Sequence, residues 1–330
     1  MSDVKPNIAV IFSSNPKKLD DNFQLVADED ANRYFEQCIS PLNKLGANVC
    51  KLDWTNFHYG DHEDLKVQIR AVMGAMGVDG IVLPGNYYHL SGEGVNPDSR
   101  RELFTAALLE VAEEKNLPEI GFCGGLQAKV YNTLDQDQTS IKTVKEMVEG
   151  LDVGQGEHNF EDPSTPIEKI SEELMKENHE IYLQSGNKLF EIASEFVKSR
   201  DLDGSAILDI NSAHNYACSN DPEIEKRLEA NGLSIVGRAA DGTIEIIMNS
   251  SSTNRSQIYF QGHPEVKADY KDPLYTEIIK ELFIVPARAK AEERIKEGEL
   301  EKPTEVKASK FLQTPQTPLI MQTPSQKGRS

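Results

Sequence analysis

The 330-residue chain lacks long hydrophobic runs. No stretch approaches the roughly 18 consecutive apolar residues that indicate a membrane-spanning helix. The first ten residues, MSDVKPNIAV, also lack the positively charged start and long apolar region that are typical of a secretory signal peptide. We therefore expect neither membrane insertion nor secretion.

Cysteines are few and dispersed, and they show neither close pairing nor the spacing of a metal site. The four are Cys38, Cys50, Cys123 and Cys218. This pattern is typical of reduced thiols in the cytoplasm rather than of a disulfide framework. The sequence therefore predicts a cytoplasmic protein without a metal ion.

Basic residues are scarce relative to acidic ones. Lys and Arg total 35 against 54 Asp and Glu, so the formal net charge is -19 at pH 7. A surface this acidic repels nucleic acids and anionic membranes, and it favours solubility. The phosphate-binding pattern GxxxxGK[ST] is also absent from the whole sequence. We expect no nucleic-acid partner and no nucleotide cofactor of the P-loop type.

The first half of the chain alternates apolar, β-branched runs with amphipathic stretches of helical length. The predicted strands are 7–13, 48–54, 79–85 and 117–123, and the predicted helices are 31–46, 63–77 and 98–115. This alternation indicates an α/β fold with a central, mostly parallel sheet and helices on both faces. In such sheets the ligand site lies beyond the carboxyl ends of the strands.

The second half contains further strand-like runs and a closing helix. The runs are 179–184, 207–211, 233–240, 243–249 and 257–265. The Asp-Gly pair at 241–242 lies between two of them and predicts a hairpin turn. The closing helix is predicted from Tyr275 onwards.

The chain changes character at about residue 301. Gln-Thr-Pro occurs three times in the last 18 residues, and apolar residues are too few to support a core. We expect a folded domain over 1–300 and a disordered tail over 301–330. A solvated tail is the simpler interpretation, and a docking or export segment is the alternative.

Cys123 lies between glycines in EIGFCGGLQ, at the end of a predicted strand. The Gly-x-Cys-x-Gly spacing is that of a nucleophile elbow, with Cys in place of Ser. Flanking glycines relieve the clashes of such a turn, and the N-terminus of a following helix favours a reactive thiolate. A buried structural cysteine is the alternative that this stretch leaves open.

His263 and Glu265 lie in the segment YFQGHPE. Pro264 favours an extended conformation at His263, in which residues two apart point to the same face. Glu265 could then orient the imidazole while its other nitrogen faces a thiol, as in a catalytic triad. A surface turn is the alternative reading of these residues alone.

The loop LPGNYYHL follows the strand that precedes the predicted Cys123 strand. Its glycine could aim a backbone N–H at a developing oxyanion, and the amide of Gly124 would be the second donor. A plain turn between a strand and a helix is the alternative.

Four segments, taken in order, resemble the class I glutamine amidotransferase superfamily. The family pattern is a PGG-type loop, then G-x-C-x-G-x-Q, N-S-x-H and H-P-E. Here these stand as LPGN, GFCGGLQ, INSAH and GHPE. The likeness runs from about residue 7 to 285, and it looks closest to the γ-glutamyl hydrolase branch, which includes γ-glutamyl-γ-aminobutyrate hydrolase.

The resemblance implies a flavodoxin-like sheet and a Cys123–His263–Glu265 triad. The amides of Gly85 and Gly124 would form the oxyanion hole. It implies a cysteine hydrolase that cleaves a γ-glutamyl amide bond through a thioester, with a small-molecule γ-glutamyl substrate and no cofactor.

The resemblance also implies residues that bind the substrate. Gln127 would hold its α-amino acid end, with Asn86, Ser212 and His214 lining the pocket. A structural histidine is the alternative for His214. Asn86 stands where a second glycine is usual and Gly124 where relatives often carry a larger side chain, so we expect an altered pocket.

Two other functions remain open. The chain could be a glutaminase that passes ammonia to a separate synthetase, or a catalytically weak binding protein that retains the triad. The sequence also leaves open a homodimer and a protein partner for the tail.

Overall fold

The computed structural model describes residues 4–14, 17–19, 25–27, 33–85, 100–134, 140–143, 178–196, 206–212, 214, 216–249, 255–269 and 271–298. The strands are β1 (Asn7–Phe12), β2 (Lys17–Leu19), β3 (Leu25–Ala27), β4 (Asn48–Asp53), β5 (Gly80–Leu83), β6 (Glu119–Phe122), β7 (Ile141–Thr143), β8 (Asn178–Leu183), β9 (Ala206–Asn211), β10 (Tyr216–Cys218), β11 (Leu233–Ala239), β12 (Ile244–Asn249) and β13 (Gln257–Phe260). The α-helices are α1 (Arg33–Lys44), α2 (His62–Met76), α3 (Arg100–Glu114), α4 (Gly124–Thr133), α5 (Lys188–Phe196), α6 (Pro222–Ala230), α7 (Pro264–Asp269), α8 (Pro273–Ile279) and α9 (Val285–Lys296).

Five strands form the parallel part of the sheet, in the order β4-β1-β5-β6-β13. Numbered along the chain, these strands lie in the order 2-1-3-4-5, which is that of flavodoxin-like folds. β5, β6 and β13 are buried along their whole length, as expected of central strands with helices on both faces. The predicted α/β fold is confirmed.

Antiparallel strands extend the sheet beyond β13, in the order β12-β11-β8-β9. The predicted hairpin is confirmed between β11 and β12. Gly242 adopts a φ of 86°, and the Thr243 amide donates to Asp241 Oδ1 at 2.9 Å. The short strands β7 and β10 pair with each other, and β10 also pairs with β12.

Alternate residues of β1 show how the sheet separates two apolar layers. Ile8 and Val10 pack with α1, α5 and α8 on one face, whereas Ala9 and Ile11 pack with α2, α3 and α4 on the other. Because successive strand residues point to opposite faces, an unbroken apolar strand can cover both layers. The helices therefore lie on both faces, as predicted.

The closing helix is nearly continuous from Pro273 to Lys296, but residues 280–284 form a π-helical turn. Pro286 has no N–H with which to bond the carbonyl of Leu282, four residues earlier. The Ser256 hydroxyl donates to that carbonyl instead, and the Val285 amide bonds Lys280 in the π pattern. The proline thus accounts for the wider turn.

The strand predicted over 257–265 is too long at its C-terminal end. β13 ends at Phe260, and α7 begins at Pro264. Proline is favoured in the first turn of a helix, where its missing N–H costs no hydrogen bond. The His-Pro-Glu segment therefore enters a helix instead of continuing the strand.

Some sequence predictions lie outside the described residues. They concern Asn86 and the tail over 301–330. Within these described ranges, no helix is long and apolar enough to cross a membrane.

Two glycines near the end of β6 are required by close packing. A Cβ on Gly121 would lie 2.4 Å from Cδ1 of Tyr259, and a Cβ on Gly125 would lie 2.3 Å from the carbonyl oxygen of Leu83. Both distances are shorter than van der Waals contact. These glycines let β5, β6, β13 and the start of α4 approach one another.

We predict that Gly125→Ala lowers the free energy of unfolding by about 1–3 kcal/mol, because the added methyl group overpacks this junction. Gly74→Ala is the matched control, since a Cβ at Gly74 in α2 meets nothing within 4 Å. There alanine should raise stability by up to about 1 kcal/mol. Urea unfolding measures both, and a Gly125→Ala protein as stable as wild type would contradict the packing account.

Candidate active site

Cys123 forms the turn between β6 and α4. It is 6% exposed, and its backbone adopts φ 49° and ψ -107°, a conformation that residues with a Cβ rarely adopt. The Cys123 amide donates to the Phe260 carbonyl at 2.7 Å, and the Cys123 carbonyl accepts from the Leu126 amide at 3.0 Å. The predicted strand, sharp turn and helix around this cysteine are confirmed.

His263 lies beside this turn and is fully buried. Its Nδ1 is 2.8 Å from Oε1 of Glu265, and the side chain of Cys123 lies close enough to raise the imidazole pKa. Since Nδ1 faces the carboxylate, Nε2 is the nitrogen left for the sulfur. The structure thus brings the three predicted residues close together, and their role as a catalytic triad stays a prediction.

The sequence analysis predicted the His263–Glu265 contact from an extended conformation of the chain, and that conformation was wrong. The two residues are not neighbours on one face of a strand, because Glu265 lies in the first turn of α7. The Glu265 side chain meets the imidazole across that turn.

Gly262 allows the chain to reach this position. A Cβ at Gly262 would lie 2.6 Å from the carbonyl oxygen of Asn211, at the end of β9. The same carbonyl accepts the His263 amide at 3.1 Å. A glycine is therefore needed where the segment after β13 passes the end of β9.

The surroundings of His263 favour its charged form. Burial by itself lowers the imidazole pKa, but the negative charge of Glu265 and the hydrogen bonds to Cys123 and Glu265 together raise it to about 10. Glu265 is also buried, so the carboxylate and the imidazole compensate each other in a site with little water.

Three other cysteines lie in environments that suppress the thiolate. Burial raises the pKa of Cys38 well above its usual range, and the nearby charge of Glu265 adds to this. Burial and the charge of Asp79 raise the pKa of Cys50, and burial raises that of Cys218 to about 12. These thiols are therefore poor nucleophiles at neutral pH.

The two glycines predicted for an oxyanion hole lie on adjacent turns. Gly124 is the first residue of α4, and Gly85 follows the end of β5 by two residues. β5 pairs in parallel with β6, with Leu83 opposite Gly121. The loop after β5 thus begins next to the Cys123 turn. The role of the Gly85 and Gly124 amides as an oxyanion hole stays a prediction.

Gln127 lies one turn into α4 and is buried. Its side-chain nitrogen donates to the Tyr216 carbonyl at 2.8 Å and approaches Oε1 of Gln261 at 3.4 Å. This amide therefore joins the helix after Cys123 to β10 and to the segment before His263. Its role in holding substrate stays a prediction.

Ser212 and His214 follow β9 and are both buried. The Nδ1 atom of His214 is 3.1 Å from the Tyr216 carbonyl, and its Nε2 is 3.3 Å from Oε1 of Glu245. Both ring nitrogens face protein acceptors, which favours the structural alternative for this histidine.

Glu245, a buried carboxylate that the sequence analysis did not single out, contacts His214. Glu245 is fully buried in β12, and its second oxygen is 3.4 Å from Nε2 of His179. The signal was present in TIEIIMN, where one carboxylate interrupts an otherwise apolar strand. A buried carboxylate is costly unless it is paired, and two imidazoles provide the pairing here.

Among the residues that the structure describes, no group of three or more His, Cys, Asp or Glu side chains could hold a metal ion.

Comparison with known proteins identifies the family. Residues 63–265, more than half of the chain, match the family described as Peptidase C26. The chain belongs to the peptidase C26 family. The matched segment begins in α2 and includes Cys123, His263 and Glu265. Peptidases are hydrolases of amide bonds, and membership assigns the chain to that class.

Two relatives extend the comparison. The chain is 30% identical over 193 residues to a CTP synthase of Staphylococcus aureus, covering 57% of this chain and 31% of that protein. The chain thus matches about a third of the length of this relative. The glutaminase domain of Trypanosoma brucei CTPS, solved with bound acivicin, has a TM-score of 0.54 and 16% sequence identity. That similarity covers 87% of this chain and 94% of the domain, and it shows a shared fold.

The predicted superfamily, class I glutamine amidotransferases, is confirmed by the family match and this fold. The γ-glutamyl hydrolase branch stays a prediction.

The raised pKa of His263 predicts how stability depends on pH. A group whose pKa is higher in the folded protein stabilises it fully below the unfolded pKa, about 6.5 for His. That contribution is lost as the pH rises through the folded value of about 10. Wild type should therefore be more stable relative to His263→Asn at about pH 6.5, and this difference in the free energy of unfolding should decrease as the pH rises to about 10.

Denaturant unfolding of both proteins across this range measures the difference. His62→Asn is the matched control, because His62 is half-exposed on α2. A difference for His263→Asn that stays constant or increases with pH would contradict a charged, buried imidazole.

Proposed function

We propose that the chain hydrolyses a γ-glutamyl amide bond, with Cys123 as nucleophile, His263 as general acid and base, and Glu265 as the residue that orients the imidazole. The observation that carries this proposal is the strained turn at Cys123 beside a buried His263 that is itself paired with Glu265 at 2.8 Å. Nucleophile, base and orienting group in this order are the elements of a covalent acyl-transfer mechanism.

The first half of the reaction forms a thioester. His263 already carries the proton, as its raised pKa indicates, and the thiolate of Cys123 attacks the γ-carbonyl carbon of the substrate. The oxygen becomes negative as the tetrahedral intermediate forms, and the amides of Gly124 and Gly85 would donate to it. His263 then gives its proton to the leaving nitrogen as the C–N bond breaks.

The second half regenerates the enzyme. His263 takes a proton from water, and the resulting hydroxide attacks the thioester carbonyl. The C–S bond breaks, the sulfur leaves as a thiolate beside His263, which keeps the proton it took from water, and glutamate is released. A cationic imidazole beside the sulfur also stabilises the thiolate, the nucleophilic form of a cysteine.

The substrate assignment rests on the family and on the predicted pocket residues. We infer that Gln127, Ser212, His214 and Asn86 hold the α-amino acid end of the glutamyl group. The leaving group would be an amine, a peptide nitrogen or ammonia. Membership in the peptidase C26 family supports a γ-glutamyl hydrolase of the branch named above.

A second candidate is a glutaminase that delivers ammonia to a separate synthetase. The similarity to CTP synthase and to the glutaminase domain of CTPS favours it. The two functions share the Cys123 chemistry and differ in the fate of the amine. Release of ammonia from glutamine only after a second protein is added would favour the synthetase partner.

We predict that Cys123→Ser and His263→Ala each lower kcat by about a thousand-fold or more, because nucleophile and base act as a unit. Glu265→Gln should cost less, since it alters orientation and charge without removing a reacting group. The matched controls are Cys50→Ser and His62→Ala, which change the same residue types away from the site.

The measurement is glutamate release from a panel of γ-glutamyl amines, γ-glutamyl peptides and glutamine. Near wild-type turnover in His263→Ala would exclude this mechanism. A folded wild-type protein that hydrolyses no member of the panel, alone or with added synthetases, would favour a binding protein.

A further inference from the structure

A ring of polar contacts links α4 to the segments that follow β9 and β13. Nε2 of Gln127 donates to the Tyr216 carbonyl at 2.8 Å and lies 3.4 Å from Oε1 of Gln261. The Gln261 amide donates to the Glu245 carbonyl at 2.7 Å. The Glu245 side chain closes the ring, because its Oε1 is 3.3 Å from Nε2 of His214, whose Nδ1 is 3.1 Å from the same Tyr216 carbonyl.

Four side chains of this polar ring are buried. Gln127 and His214 are 5% and 4% exposed, and Glu245 and Gln261 are fully buried. On the far side of Glu245, Nε2 of His179 lies 3.4 Å from Oε2, so the carboxylate is held between two imidazoles. A buried polar group that loses its partner pays the full cost of its desolvation, since water does not replace the contact. The ring therefore restricts the conformations of its members.

The Tyr216 carbonyl determines which atoms face it. A carbonyl oxygen only accepts hydrogen bonds, so Nδ1 of His214 and Nε2 of Gln127 must each carry the proton that they offer. The Gln127 amide has one nitrogen and one oxygen, so Oε1 is the atom left to face a ligand. The ring thus presents Gln127 as a hydrogen-bond acceptor.

Gln127 lies in the same turn of helix as the proposed nucleophile. Its backbone amide donates to the Cys123 carbonyl at 3.3 Å. The α-ammonium group of a glutamyl substrate is a donor only, and it therefore matches Oε1 of Gln127. Rotation of the amide by half a turn would place Nε2 against the ammonium group, donor against donor. Recognition of the α-amino end thus depends on which way this amide is held.

We propose that Glu245 is a positioning residue that determines recognition of the α-ammonium group of the substrate. Through His214 and the Tyr216 carbonyl, it holds the Gln127 amide with Oε1 as the acceptor. Without the Glu245 carboxylate, the His214 ring would lose the partner of its Nε2 and turn away from Tyr216. The inference rests on the proposed function, because it concerns the glutamyl end of that substrate.

The rates at which Cys123 reacts with two electrophiles test this proposal without requiring turnover. One is the diazo-ketone analogue of glutamine, and the other is the same compound without its α-amino group. In wild type we expect the first to react at least about ten-fold faster, as one charge-assisted hydrogen bond implies. Mass spectrometry gives both rates, and their ratio is the readout. Unfolded protein in a sample lowers both rates equally, so a merely structural role would not change the ratio.

Three variants test Glu245. Glu245→Met removes the carboxylate but keeps the length of the side chain, and it should lower the preference for the α-amino compound by about five-fold or more. Glu245→Gln should retain about half or more of the preference, since an amide can donate to Nε2 of His214 and accept from Nε2 of His179. Glu180→Met is the matched control, because Glu180 follows His179 in β8 but is exposed, and it should leave the preference unchanged.

A double-mutant cycle tests whether Glu245 acts through Gln127. Gln127→Met should lower the preference about as much as Glu245→Met does. The double variant should be no poorer than the poorer single variant, because both changes remove the same interaction. Losses that multiply in the double variant would overturn the proposal, since Glu245 would then act independently of Gln127.

A preference that is unchanged in Glu245→Met would also overturn the proposal. So would a Glu245→Gln protein as poor as Glu245→Met, which would indicate direct attraction by the negative charge. If Glu245→Met fails to fold by circular dichroism, nitrogen NMR of the histidines in wild type decides. A proton on Nδ1 of His214 would support the proposal, and an unprotonated Nδ1 would overturn it.

Hydrolysis of the γ-glutamyl panel separates this proposal from the proposed function. A wild type that hydrolyses panel members but reacts equally with both electrophiles would contradict the role of Glu245 alone. A wild type that hydrolyses no panel member, but whose preference falls in Glu245→Met, would contradict hydrolysis and support the role of Glu245 in recognition.

Discussion

The parallel pairing of β6 with β13 is the constraint on which the candidate active site depends. Phe122 lies opposite Phe260, and the next amide, that of Cys123, donates to the Phe260 carbonyl at 2.7 Å. This bond holds Cys123 in a backbone conformation that costs about 1–3 kcal/mol elsewhere in proteins. Because both strands end together, the chain after β13 brings His263 to the sulfur. One strand pair therefore sets both the strained turn at Cys123 and the position of His263.

The same two strands carry a charged cluster at their other end. Glu119 begins β6 and Gln257 begins β13, directly opposite each other in the register. Between these two ends, both strands are fully buried. At the end of the strands near Cys123, the imidazole of His263 and the carboxylate of Glu265 compensate each other's charge. At the other end of the strands, Lys129 and Arg255 both contact the buried Glu119.

The order of strands and helices in the first half could be predicted because apolar runs and helical periodicity alternate there. The Cys123 turn could be predicted because glycine spacing reports a local backbone requirement. The pairing between distant strands could not be predicted, because no local sequence pattern indicates which strands β8 and β9 pair with. The contact between His263 and Glu265 was predicted from an extended chain, but Pro264 starts a helix instead. Glu245 was missed because its partners come from β8 and from the segment after β9.

The central claim is that Cys123 is the reactive thiol of a site for γ-glutamyl groups. The most direct measurement is mass spectrometry of the native protein after incubation with a diazo-ketone analogue of glutamine. The account predicts that Cys123 is modified first among the four cysteines and that excess glutamine or γ-glutamyl substrate slows the modification. Preferential modification of Cys38, Cys50 or Cys218 would contradict it, and so would labelling of Cys123 that persists unchanged in His263→Ala.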